Sequence, residues 1–245
     1  KVGKDGNANF ILEDFKKAGI HTQYILTSES EETGQAFITV DEAGQNTILV
    51  YGGANMTLSA TDVEMSVDAF IGADFVVAQL EVPFEAIEQA FKIARKQNIT
   101  TVLNPAPAIE LPKSLLELTD IIIPNETEAE LLTGISINNE SDMKETATYF
   151  LDLGISAVLI TLGEQGTYCA YQEQYKMIPA CNVKAIDTTA AGDTFIGAFL
   201  SELNKDLSNL ESAIRLANQA SSLTVQRKGA QASIPTRKEV EAEYN

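Results

Sequence analysis

Between Asp74 and Thr161 the chain repeats one pattern, a short apolar run followed by a longer amphipathic stretch, and this repetition limits the fold more than any other feature. Phe75-Val76-Val77-Ala78 precedes a helical pattern from Phe84 to Lys96, and Thr101-Val102-Leu103 follows it. The series continues with Ile121-Ile122-Ile123, a helix from about Glu126 to Leu132, a second from Asp142 to Leu153, and Val158-Leu159-Ile160-Thr161. Strands apolar on both sides and separated by amphipathic helices indicate a parallel sheet covered on both faces. The expected fold is therefore α/β, a doubly wound, mostly parallel sheet with helices on both faces. A chain of 245 residues is long enough for one large domain of this kind, or for one domain with a small appendage.

Residues 33 to 51 interrupt the alternation. Phe37-Ile38-Thr39-Val40 and Thr47-Ile48-Leu49-Val50-Tyr51, joined across Glu42-Ala43-Gly44-Gln45, read as a β-hairpin. The pattern fits a small projecting sheet and a hairpin at a sheet edge equally well.

A formal charge of −18 repels nucleic acid and anionic lipid, and no Lys/Arg cluster offsets it. Neither is an expected partner, and no apolar run approaches the ~20 residues of a membrane-crossing helix. Cys169 and Cys181 are too few for a disulfide framework or a metal cluster and read as reduced residues of a cytoplasmic protein. The single histidine, His21, gives little support to Ser/His/Asp chemistry or histidine-rich metal sites.

The most informative local string is Asp187-Thr188-Thr189-Ala190-Ala191-Gly192-Asp193-Thr194-Phe195. Val183 to Ile186 can pair as a strand, and Phe195, Phe199 and Leu203 recur at helical spacing, so the string sits where an extended segment enters a helix. Residues Ala190, Ala191, Gly192 and Asp193 then offer unpaired N–H groups at the positive end of a helix dipole, a seat for a phosphoryl group or a developing anion. A carboxylate repels phosphate, but it suits the role of base for a hydroxyl attacking phosphorus. An ordinary first-turn Asp, favoured by the same dipole, explains the residue as well, and the spacing leaves both readings open.

No G-x-x-x-x-G-K-[ST] string occurs, which excludes a Walker-type cradle. Thr161-Leu162-Gly163-Glu164-Gln165-Gly166 ends an apolar strand at its carboxyl edge, where open α/β sheets bind ligands, and it also fits a plain β-turn into Thr167-Tyr168-Cys169-Ala170. Asn125 with Glu128 three residues on has the form of a reciprocal helix cap. Glu81 follows another apolar strand, as a ligand contact or as a solvated loop acid. Arg227-Lys228-Gly229-Ala230 reads as a stop for a helix whose apolar positions include Ile214, Ala217 and Leu223.

Asp187 to Phe195 meets every specified position of the pattern D-T-T-x-A-G-D-T-F. Together with Asn104-Pro105-Ala106-Pro107, Pro124 to Glu128, Thr161 to Gly166 and Arg227 to Pro235 in matching order, it makes the chain resemble the ribokinase-like (PfkB) carbohydrate kinases over essentially its whole length. The resemblance implies an ATP-dependent sugar kinase, with D-ribose, phosphorylated at its terminal (5-) hydroxyl, as the best-fitting substrate. It implies that Asp193 is the base, that the N–H groups of Ala190, Ala191, Gly192 and Asp193 stabilise the developing charge, and that Glu81, with Asp193, contacts the sugar. ATP would be held by Asn125, Thr161, Leu162, Gly163, Glu164, Gln165, Gly166 and Gly192, and by Asn218 at a position that is not always Asn in the family. Glu128 would orient Mg²⁺ through water. Asp187, Thr189, Thr224, Arg227, Gly229 and Ser233 match positions that hold a monovalent, K⁺-like cation.

By the same resemblance, residues 1–32 and 52–245 form the α/β kinase domain, and residues 33–51 form part of a β lid over the sugar, through which a homodimer can assemble. Family members begin with a strand carrying a substrate-binding Asp and a Gly-Gly-Lys-Gly-Ala-Asn motif. Neither occurs here, and Lys1-Val2-Gly3-Lys4-Asp5-Gly6 resembles a point roughly sixty residues into such a protein. The domain is thus expected to be incomplete at its N-terminus. Two alternatives stay open: another kinase of the family acting on fructose or a nucleoside, and a non-catalytic nucleotide-binding remnant.

Overall fold

The computed structural model describes residues 1–40 and 46–244, so the expected turn at Glu42-Ala43-Gly44-Gln45 lies outside the described residues. Residues Lys1–Ile99 and Thr100–Asn245 form two compact units.

In the first unit, helix α1 (Gly6–Lys17) starts where the Asp5 carboxylate accepts the Ala8 N–H. Strands β1 (Gln35–Val40) and β2 (Asn46–Tyr51) pair antiparallel with Phe37 opposite Leu49, as the hairpin reading expects. They form a separate two-stranded sheet, and Phe37, Leu49, Val50 and Tyr51 are exposed. A short helix α2 (Ala60–Met65), strand β3 (Phe75–Ala78) and helix α3 (Phe84–Lys96) complete the unit. Phe70, Ile93, Ala94 and Ile99 form an apolar cluster, with Val63 and Val76 packed against it.

The second unit carries strands β4 (Thr100–Leu103), β5 (Ile121–Ile122), β6 (Ala157–Thr161), β7 (Thr167–Tyr171) and β8 (Gln174–Ile178), paired in that order. β4, β5 and β6 are parallel, whereas β6–β7 and β7–β8 are antiparallel. The sheet is therefore mixed, because turns of a few residues link its last three strands and such short connections can only reverse the chain. Helices α4 (Lys113–Glu117) and α6 (Glu140–Asp152) cover one face, where Leu116, Met143, Ala147 and Phe150 pack on Ile122, Val158, Ile160, Tyr168 and Ala170. Helix α8 (Leu210–Thr224) approaches the other face, through a bond from the Thr167 hydroxyl to the Asn218 side chain. Helices α5 (Glu126–Thr133), α7 (Ala191–Glu202) and α9 (Arg237–Tyr244) complete the layers. This is the α/β arrangement with helices on both faces, plus a small antiparallel sheet, that the sequence pattern predicts.

α6 begins two residues before the expected Asp142, because Asn139 caps it by accepting the Ser141 and Asp142 N–H groups. One expectation fails outright. Val183 to Ile186 forms no strand; instead the Ile186 and Asp187 N–H groups both donate to the Val225 carbonyl, at 2.7 and 3.1 Å. This carbonyl lies just past the end of α8, so the segment is held by the next loop and not by a sheet edge. Both cysteines are free, and no helix among the described residues is long and apolar enough to cross a membrane.

Candidate active site

α7 starts from an unusual backbone. Its N-cap, Ala190, lies in the left-handed region at φ 61° and ψ 11°, and no side chain caps the helix. An alanine there costs about 1–2 kcal/mol and persists only where its surroundings over-determine it. The surroundings do so here: Thr194 N–H donates to the Ala190 carbonyl at 2.9 Å, and Ala191 N–H donates to the Thr188 carbonyl at 3.3 Å. The following N–H groups, of Gly192 and Asp193, belong to a first helical turn, which has no partner within its own helix, and the dipole adds positive potential.

Gly192 is helical and exposed, and a Cβ placed on it meets no atom within 4 Å. Neither backbone angle nor internal packing therefore requires glycine there. The open side leaves room for a group approaching from outside the chain, such as a phosphate. Asp193 is exposed in the same turn.

Asp187 ties this turn to the loop after α8. Its carboxylate accepts the Thr189 N–H at 2.9 Å and the Gly229 N–H at 3.0 Å. Its pKa is held down to about 2, first by the Thr189 hydroxyl, then by the Gly229 and Thr189 amides, with the Lys228 charge adding to them. The expected cation positions thus converge on one pair of loops around an ionised carboxylate. With these three donors on its two oxygens the carboxylate still keeps acceptor capacity, so an oxygen-ligated monovalent cation fits this donor set. Thr224 and Ser233 are buried, and their hydroxyls donate inward, from Thr224 to Thr194 Oγ1 at 3.0 Å and from Ser233 to the Ala230 carbonyl at 2.6 Å. The Arg227 guanidinium pairs with Glu239 at 2.7 Å.

At the carboxyl ends of β5 and β6, Asn125 and Thr161 form an isolated parallel bridge, and Thr161 N–H donates to the Pro124 carbonyl at 2.9 Å. The pair therefore stands side by side at the edge where open sheets bind ligands. Beyond Thr161 and the buried Leu162, a 3₁₀ turn, Gly163–Gln165, is exposed. Gly163 is left-handed with open space beside it, whereas Gly166, at φ 111°, lies so close to the chain after β8 that a Cβ would meet the Ile178 carbonyl at 2.2 Å. The segment is also the turn of the β6–β7 hairpin, so the plain turn and the ligand-edge position coexist.

Asn125 and Glu128 form the full reciprocal cap of α5. Glu128 accepts the Asn125 backbone and side-chain N–H groups at 2.8 and 2.9 Å, and burial raises its pKa against the lowering effect of the Asn125 amide. With one bond on each oxygen it retains acceptor capacity. Contact with Mg²⁺ through water fits this better than direct ligation. Among the described residues no group of three or more His, Cys, Asp and Glu side chains is placed to hold a metal.

Asn218 is committed to the interior. Its amide donates to the Ile178 and Pro179 carbonyls at 3.1 and 3.2 Å and accepts the Thr167 hydroxyl at 3.0 Å. A direct side-chain contact with nucleotide requires breaking these bonds. Glu81 is exposed in the loop after β3, in the first unit. The sequence reading missed two ties to α7, Ser221 and the Thr194–Thr224 hydroxyl pair. In sequence they are ordinary polar helix residues, and only the crossing of α7 and α8 gives them a role.

The fold and these loops define a carbohydrate kinase: the chain belongs to the pfkB family of carbohydrate kinases, whose model matches residues 1–237. Among known relatives, it is 64% identical over 240 residues to a ribokinase of Staphylococcus aureus (strain COL), covering 98% of this chain and 79% of that protein. It is 50% identical over 240 residues to the bifunctional ribokinase/ribose-5-phosphate isomerase A of Fructilactobacillus sanfranciscensis, 98% of this chain and 44% of that longer protein. The structure of Arabidopsis thaliana ribokinase complexed with ribose and ATP superposes with a TM-score of 0.88 at 32% identity, covering 98% of this chain and 79% of that one.

Proposed function

We propose that the chain is an ATP-dependent ribokinase, a phosphotransferase that moves the γ-phosphoryl group of ATP to the terminal (5-) hydroxyl of D-ribose. The observation that carries this reading is the α7 turn, with an exposed carboxylate beside first-turn N–H groups and an open Gly192, in a chain 64% identical to a ribokinase. The Arabidopsis relative binding ribose and ATP supports both substrates.

Asp193 takes the proton from the attacking hydroxyl, and the N–H groups at Ala190, Ala191, Gly192 and Asp193 stabilise the charge that develops on the phosphoryl oxygens. The Ala191 N–H, which donates weakly to Thr188, must turn toward the phosphoryl group to take part. Asn125 and the turn from Thr161 to Gly166 hold the phosphates of ATP. Glu128 orients the water shell of Mg²⁺, whose charge offsets that of the triphosphate. Asp187 and the backbone around Thr189, Thr224, Arg227, Gly229 and Ser233 hold a K⁺-like ion that keeps the α7 turn in shape. Asn218 acts on the nucleotide side through the loop it fixes, and Glu81 meets the sugar. Residues 1–32 and 52–245 act as the kinase domain, and residues 33–51 as lid and dimer contact. The protein works in the cytoplasm.

Measuring ADP release by a full-length version of the protein with D-ribose, D-fructose and adenosine as acceptors tests the reading. Ribose-dependent release supports it, while release only with fructose or the nucleoside, or with none of the three, overturns it.

A further inference from the structure

α8 carries two adjacent serines with different partners. The Ser222 hydroxyl donates to the Asn218 carbonyl, four residues back in its own helix, at 2.7 Å. The Ser221 hydroxyl instead leaves its helix and donates to the Ala191 carbonyl of α7 at 2.9 Å. Ala191 is the residue after the left-handed Ala190 and two before Asp193, so this bond grips the first turn that the phosphoryl-transfer reading requires. One turn further along each helix, the Thr224 hydroxyl donates to Thr194 Oγ1 at 3.0 Å, so the pair of helices is pinned at two levels.

The Ala191 carbonyl also accepts the ordinary helical bond of α7. A second donor on the same oxygen sets the rotation of the first turn about its axis, and with it the direction in which the Gly192 and Asp193 N–H groups point. Oxyanion donors act only when they are aimed before the reaction occurs, and small misplacements are expensive in rate.

We propose that Ser221 is a positioning residue for phosphoryl transfer, holding the α7 turn in register from α8. The proposal rests on the kinase reading above and adds to it a residue that touches neither substrate. Its test is Ser221→Ala beside Ser222→Ala and Ser221→Thr. Ser221→Ala is expected to lower kcat roughly 5- to 50-fold, with the KM values for ribose and ATP within about twofold of the parent. Ser222→Ala keeps kcat within twofold, and Ser221→Thr, which retains the hydroxyl, restores most of the loss. Amide hydrogen exchange gives an activity-free readout: in Ser221→Ala the Thr194 amide, bonded to Ala190, is expected to exchange at least about tenfold faster, at an unchanged melting temperature. Unchanged kcat and exchange in Ser221→Ala overturn the proposal, and so does an equal loss in Ser222→Ala. If a full-length parent transfers no phosphoryl group to ribose, the functional reading fails. The exchange measurement still decides whether Ser221 holds the turn.

Discussion

The Asp187 carboxylate accepts the Gly229 N–H at 3.0 Å across 42 positions of sequence, joining the loop that leads into α7 to the loop that leaves α8. With its second oxygen on the Thr189 N–H, the carboxylate holds the two loops proposed to shape the phosphoryl and cation sites. Its ionisation is therefore a structural variable. The native pKa of about 2 lies below the ordinary value of 3.8, so the stabilisation is complete above the unfolded value and is lost as pH falls through the folded one. A carboxyl ¹³C titration of Asp187 is expected to show an apparent pKa near 2. A midpoint near 3.8 contradicts the tether.

Asp193→Asn keeps the shape of the side chain but cannot accept a proton. Phosphoryl transfer is expected to fall ~10²–10⁴-fold, the usual range for loss of a general base, with ATP affinity by calorimetry within a few-fold of the parent. Turnover within threefold of the parent removes Asp193 from the base role.

Gly192→Ala separates stability from activity. The position is helical and its Cβ direction is open, so alanine should raise stability by about 0.5–1 kcal/mol. If phosphate passes over this residue, the same methyl group obstructs it and turnover drops. A variant that is more stable and fully active contradicts the phosphate path. Gly166→Ala behaves in the opposite sense: the clash with the Ile178 carbonyl and the positive φ should destabilise the fold by roughly 2 kcal/mol or more.

The Thr146 hydroxyl is buried without a hydrogen-bond partner on the face of α6 that packs on the sheet. Removing an unmet polar group while keeping the side-chain shape is neutral or stabilising, by up to about 1–3 kcal/mol. Thermal unfolding of Thr146→Val should show an unchanged or higher melting temperature, and a fall of several degrees contradicts the assignment.

The cation site proposed at the ionised Asp187 carries a salt prediction. Exchanging K⁺ for Na⁺ or a bulky organic cation at fixed ionic strength is expected to lower turnover. Equal rates in all three salts remove the cation from the account.

The layers of the fold were legible because apolar runs such as Val158 to Thr161 report burial on both faces, and because the cap at Asn125 acts within three residues. The extended segment at Val183 to Ile186 misled because its partner, the Val225 carbonyl, lies about forty residues away and belongs to no strand. Strand potential within four residues says nothing about such a neighbour. In the candidate site, Asp193 and the glycine-bearing turns stood out as chemistry placed on loops. Ser221, Thr194 and the interior bonds of Asn218 did not, since their roles arise from the meeting of α7, α8 and β7. The left-handed Ala190 was invisible for a further reason: alanine gives no sign of a backbone that glycine or asparagine would announce.

The central claim is tested most directly by incubating a full-length version of the protein with Mg·ATP and D-ribose and locating the transferred phosphorus by ³¹P–¹H correlation NMR, with Asp193→Asn run in parallel. The account predicts turnover on the scale of ~1–100 s⁻¹, a phosphate coupled to the C5 protons, and little product from the variant. Phosphate at another position, no ribose-dependent product, or equal product from Asp193→Asn contradicts it.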